Sequence, residues 1–137
     1  MSIIEYGEDL TTAEAPPLLP AGPYPAEIVG AMEKTSSTKG GKGNRYLNVV
    51  FRIHPESYPA DFLDGDPNGL ELHYNFIQLD DTPRNRYNMR RFLERIGAPL
   101  SRQVDLNDLV GRTATVELTH SEWNEEMRVQ IARILAP

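Results

Sequence analysis

The nine residues from Arg45 to Ile53, RYLNVVFRI, alternate without a break: Leu47, Val49, Phe51 and Ile53 on one side, Tyr46, Asn48, Val50 and Arg52 on the other. A period of two belongs to an extended strand with one face buried and the other toward water. Such a strand is not stable alone, so the rest of the chain must supply strand partners and a cover for the apolar face. Four further segments fit that role. Tyr24 to Met32 alternates loosely, and Leu70 to Leu79 is apolar at Leu70, Leu72, Tyr74 and Phe76, which puts His73 and Asn75 on the opposite, outward face. Ala114, Val116 and Leu118 alternate with Thr113, Thr115 and Glu117, a turn over Ser121 to Glu126 follows, and Met127 to Leu135 is the fifth strand. Between the third and fourth strands, Asp81-Thr82-Pro83 supplies a helix cap and a first-turn proline. Met89, Phe92, Leu93 and Ile96 then recur at helical spacing until Gly97 and Pro99 end the run. Asp105 to Gly111 reads as one short turn.

A chain of 137 residues can bury one sufficient core, and two would each be marginal. The organisation expected is an acidic, proline-rich arm over residues 1–20 and a single domain over 21–137, because Ala15-Pro16-Pro17-Leu18-Leu19-Pro20 suits neither a helix interior nor a central strand. The absence of cysteine removes disulfides, thiolate metal sites and cysteine nucleophiles. No apolar run approaches the roughly 18 residues of a membrane span, and MSIIEYGEDL lacks the basic start of a signal peptide, so a cytoplasmic protein with no membrane partner is expected. Asp64-Gly-Asp66-Pro-Asn68-Gly69 matches the start of a calcium loop, but its twelfth position is Asn75 and no helices flank it. Gly41-Lys42 is followed by Gly43, which rejects a phosphate loop, and His54, His73 and His120 have no metal or catalytic spacing. The expectation is a protein that is not an enzyme and needs neither metal nor organic cofactor.

Three strands, a helix and two more strands are the element order of an OB-fold. The fold class expected is therefore all-β with one helix, a five-stranded Greek-key barrel with the helix between strands three and four. Such barrels bind oligonucleotides on strands two and three and the loops beside them. The net charge of −6 argues against a nucleic-acid partner, but the charge is segregated. Residues 1–33 hold six acids and no Lys or Arg, whereas residues 34–52 hold Lys34, Lys39, Lys42, Arg45 and Arg52 and no acid. The basic block falls on the loop between strands one and two and on strand two. Cations that follow phosphates and flat side chains that stack on bases together make a sequence-tolerant single-strand site. The candidate nucleic-acid-binding residues are Lys34, Lys39, Lys42, Arg45, Tyr46, Asn48, Arg52, His73 and Asn75, with Trp123 from the loop between strands four and five. Arg84, Arg86, Arg90, Arg91 and Arg95 read equally as a phosphate track or as partners of acids such as Asp80 and Glu94, and stay outside the primary site.

The stretch LPAGPYPAEIVGAMEKTSSTKGGKGNRYLNVVFRI resembles the opening of the small phage-encoded single-stranded-DNA-binding proteins long catalogued as a domain of unknown function. The resemblance continues through Phe92-Leu93-Glu94-Arg95-Ile96-Gly97 and Leu109-Val110-Gly111-Arg112, covering most of residues 18–135. It implies an OB-fold acting in phage replication or recombination in the host bacterial cytoplasm. Single-stranded DNA, and replication or recombination proteins, would be the partners. Lys34, Thr35, Ser36, Tyr46 and Leu47 match its pattern. Many single-strand binders end in an acidic tail, whereas this chain ends Leu135-Ala136-Pro137 and carries its acid at the N-terminus. A non-catalytic phage protein-interaction module using the same barrel face is the alternative, and monomer or homodimer stays open.

Overall fold

A computed structural model describes residues 2–14, 17–36, 43–63 and 65–137 of the chain. Its longest strand, β1 (Gly22–Thr35), pairs antiparallel with two neighbours: with β4 (Thr113–Trp123) from Gly22 to Glu27, and with β2 (Arg45–Ile53) from Glu27 to Thr35. β3 (Leu70–Gln78) joins β2, and β5 (Glu126–Ile134) joins β4, giving one antiparallel sheet in the order β3-β2-β1-β4-β5. The chain is mostly β, with one long helix, α1 (Pro83–Arg95), after β3 and a single turn, α2 (Leu106–Leu109), before β4. No helix among the described residues is long and apolar enough to cross a membrane.

The expected barrel closure is not present as hydrogen-bonded pairing: β3 and β5 are both edges, and the sheet is open between them. It is nevertheless strongly curled. Each of three ladders carries a bulge, at Ile28/Gly30 of β1, Leu47/Val49 of β2 against β3, and Glu117/Leu118 of β4 against β5. Every bulge adds local twist. The curl brings the edges close, so that Leu72 of β3 and Val129 of β5 line one gap while Ile77 and Ile134 line another.

The core fills the concave side. Ile28, Leu47, Val49, Phe51, Ile53 and Val116 are fully excluded from water, as the alternation of β2 required. Phe92 and Leu93 cover them from α1, Ile96 from the cap that follows it, Leu109 from α2 and Leu19 from the arm. Thr82 caps α1 by accepting a hydrogen bond from the Asn85 amide at 3.1 Å, and Gly97 ends it with a φ of 71°. Gly69 is required where β3 begins: its φ is +96°, and a Cβ there would lie 2.8 Å from the Ile53 carbonyl oxygen.

Two expectations need correction. Phe76 does not share the core parity of Leu72 and Tyr74, being 71% exposed while Ile77 is buried. The cause is the β2–β3 bulge, where Asn75 and Phe76 together oppose the single residue Asn48 and shift the alternation by one. The turn expected over Ser121 to Glu126 contracts to Asn124 and Glu125, both at positive φ (49° and 64°), as a two-residue hairpin loop demands. Trp123 is thus the last residue of β4 rather than a loop residue.

Phe51→Ala is expected to cost about 3–5 kcal/mol in chemical denaturation, the range for deleting a buried aromatic; a loss below about 1 kcal/mol would mean that Phe51 does not anchor the core. A second expectation concerns Tyr24, whose hydroxyl donates to the Pro20 carbonyl at 2.8 Å. Burial, reinforced by the charge of Asp61, pushes this phenol above its ordinary value. The neutral form is favoured in the folded chain, so its stabilisation is complete below the unfolded pKa of about 10 and is lost as pH rises through the higher folded value. Tyr24→Phe should therefore flatten the alkaline branch of the stability curve, and an unaltered branch would exclude this phenol as its source.

Candidate nucleic-acid interface

The register places most of the expected residues on one surface. Across β1 and β2 the pairs are Lys34 with Tyr46, Met32 with Asn48, and Glu27 with Arg52. Across β2 and β3 they are Tyr46 with Gln78, Val50 with His73, and Arg52 with Glu71. All lie on the parity opposite to Leu47, Val49 and Phe51, so the convex face of β1–β3 carries Lys34, Tyr46, Asn48, Arg52, His73 and Asn75. Lys39 and Lys42 lie outside the described residues; in the chain they fall between Lys34 and Arg45.

Asn48 organises the centre of this face. It is only 3% exposed, because neighbouring side chains close over it. Its Nδ2 donates to Nδ1 of His73 at 3.1 Å and to Oδ1 of Asn75. An amide nitrogen only donates, so Nδ1 of His73 accepts and the imidazole proton sits on Nε2, turned away from the sheet cluster. The bulge makes this possible by bringing Asn75 as well as His73 against one β2 residue.

Electrostatics divide the basic block. Arg45 has the opposite parity to Tyr46, and its guanidinium binds Glu33 at 3.0 Å and Asp80 at 3.4 Å. Those partners, Glu33 first, hold its pKa above the ordinary arginine value. Arg52 pairs with Glu71 across the ladder, and its Nε is buried without a partner. Each of these pairs is about half exposed, so each is worth under about 1 kcal/mol. Lys34 is exposed and makes no ion pair among the described residues.

Trp123 is not part of this surface. It lies beyond the Gly22–Leu118 pair at one end of β1, whereas Tyr46 meets Lys34 at the other end. The residue is 57% exposed, and one face of its ring is covered by the Arg128 guanidinium at 4.4 Å. The acids Glu33, Glu71 and Asp80 went unread in the sequence as partners of the basic block, being 12 to 35 residues from their arginines. Phe76 was missed for a different reason, since nothing in LELHYNFIQ signals a bulge. No family model matches this chain, and a search of curated proteins found no match.

Nitrogen NMR of His73 should find the proton on Nε2 with Nδ1 as acceptor. A proton on Nδ1 would mean that the Asn48 amide is turned the other way and the cluster is wired differently. Asn48→Ala should destabilise the fold by about 1–3 kcal/mol, the cost of stripping a hydrogen-bonded partner from a buried polar site.

Proposed function

We propose that this protein is a sequence-tolerant single-stranded-DNA-binding protein built on an OB-type barrel, and that the convex face of β1–β3 carries the strand. The observation that carries the reading is the cross-strand row of Lys34 and Tyr46, continued on the same face by Asn48, His73 and Asn75. A cation without an ion pair among the described residues, set beside an aromatic ring, supports phosphate contact and base stacking at one position. Asn48 is buried and its amide nitrogen is committed to His73 and Asn75, so the polar groups this face offers a base edge are those of the exposed His73 and Asn75. The strand order β3-β2-β1-β4-β5 supports the fold half of the proposal, because joining its two edges would produce a five-stranded ring with the helix after the third strand. A role in phage replication or recombination follows from the sequence resemblance alone.

The electrostatic contribution is smaller than the count of basic residues suggests. With Arg45 and Arg52 engaged by acids, Lys34, Lys39 and Lys42 remain as the principal phosphate contacts. Three contacts on a single strand correspond to a log–log salt slope near −2, roughly a 20-fold loss of affinity between 50 and 200 mM salt.

Fluorescence titration of labelled oligothymidine tests this directly. Binding with that slope is expected, with duplex DNA bound more weakly because its paired bases cannot reach Tyr46. Tyr46→Ala should weaken binding by about 1–3 kcal/mol without altering the slope, and Lys34→Ala should flatten the slope by about 0.7. Absence of oligothymidine binding at low salt would sink the proposal and leave a protein-binding module as the reading of the same face.

A further inference from the structure

The cations without an ion pair among the described residues are not confined to the face of β1–β3. Of the arginines on α1, Arg86 pairs with Asp81 at 2.8 Å and Arg90 with Glu94 at 2.7 Å. Arg84, Arg91 and Arg95 have no such partner among the described residues. Arg91 and Arg95 are one turn apart on the same side of the helix. Together with Asn88, one turn earlier, they line a groove of about 210 Å³ whose other wall is Tyr74 and Phe76 of β3. The two rings pack edge to face at 5.2 Å.

The bulge that turns Phe76 out of the core thus delivers it into a groove with two guanidinium groups. A single exposed aromatic is ordinary on a protein surface. An exposed phenylalanine, a half-buried tyrosine and two arginines without an ion pair among the described residues, Arg91 lying over the Tyr87 ring at 5.8 Å, combine around one concavity the requirements for stacking and for anion contact. The volume is below the ~300–1,000 Å³ of pockets that enclose a whole cofactor, so one planar group fits and a dinucleotide does not. The position matters as well: Asn75 and Phe76 are the two residues of the same bulge, Asn75 bonded to Asn48 on the convex face and Phe76 lining the groove. A strand leaving the convex face over the β3 edge arrives at Phe76 next.

We propose that the groove between α1 and β3 is a second base-and-phosphate subsite for single-stranded nucleic acid, with Phe76 stacking on a base and Arg91 and Arg95 contacting the adjoining phosphates. This rests on the reading of the convex face as a single-strand site and extends its path by one turn around the β3 edge. Tyr74 forms the floor against which Phe76 is held. Asn88 offers an amide to the edge of the stacked base.

The test uses the full chain and oligothymidines of increasing length, long enough in the last case to cover both surfaces. Phe76→Ala should weaken the long oligomer by about 5-fold to 100-fold, the range for one stacked base, and barely affect the shortest oligomer that Tyr46 still binds. For an oligomer that covers both surfaces the two added contacts steepen the slope to about −3.5, and the double variant Arg91→Gln/Arg95→Gln, which changes no core side chain, should flatten it by about 1.4. Circular dichroism of each variant establishes that it is folded, and the arginine variant carries the test should Phe76→Ala unfold. Unchanged affinity and slope in these variants, with wild-type binding intact and Tyr46→Ala impaired, would overturn the groove while leaving the convex face standing. Loss of all wild-type binding would instead remove the underlying reading. If a peptide of residues 2–14 binds the wild type and not the arginine variant, while oligomer affinity is the same in both, the groove is an acidic-peptide site and the inference fails.

Discussion

β1 is shared between two partners, and the exchange occurs at Glu27 and Ile28. Before it, the strand is zipped to β4; after it, to β2. At the exchange the backbone of Ile28 is held by the turn after α2, its amide donating to the Arg112 carbonyl at 2.8 Å and its carbonyl accepting from the Gly111 amide at 2.8 Å. The Ile28 side chain is fully buried at that point, and the first bulge follows immediately. A strand fixed at its middle and paired on different sides along its two halves forces the sheet to turn about it. The concave core, the nearness of β3 to β5 and the convex face all depend on that turn. A flat five-stranded sheet would have left one apolar face wet and its two edges, β3 and β5, far apart.

The parts legible in the sequence are those governed by local rules. β2 lies where its alternation puts it, and Leu47, Val49, Phe51 and Ile53 form the centre of the core. α1 begins at Pro83 and ends at Arg95 because Thr82, Pro83 and Gly97 are local signals that no tertiary contact overrides. Bulges are different, since an extra residue in one strand is defined by the partner strand. The parity of Phe76 was therefore unreadable from LELHYNFIQ, while His73 and Asn75, whose outward parity was read correctly, sit before or within the bulge. That Trp123 lies at the opposite end of β1 from Tyr46 was not readable either, because a position next to a turn says nothing about which end of a curled sheet the turn occupies.

The charge blocks show the same division between local and tertiary information. The acidic and basic segments are contiguous in sequence, yet the ladders lay them side by side: Glu33 and Asp80 on Arg45, Glu71 on Arg52, Glu117 on Arg133. Alternating blocks in a meandering sheet become cross-strand ion pairs, and their net effect on the field is small beyond one Debye length, about 10 Å at 0.1 M salt. What remains unbalanced is local. The arm carries Glu5, Glu8 and Glu14 exposed, with Asp9 tied to the Thr11 amide at 2.9 Å, and the cations Lys34, Arg91 and Arg95 stand elsewhere on the surface.

A chain with a net charge of −6 has no long-range field that gathers a polyanion. On the proposed reading, that net charge opposes the approach of nucleic acid, and affinity comes from contacts made after arrival. The contacts proposed for it are short in range: a lysine beside a tyrosine on the convex face, and two arginines beside a phenylalanine in the groove. Stacking is insensitive to salt and supplies the larger share per site, while each phosphate contact supplies the smaller, salt-sensitive share. On the proposed reading, single strands are told from duplex by the availability of base faces, because a duplex offers the same phosphates and the same long-range repulsion but no exposed base face to stack on.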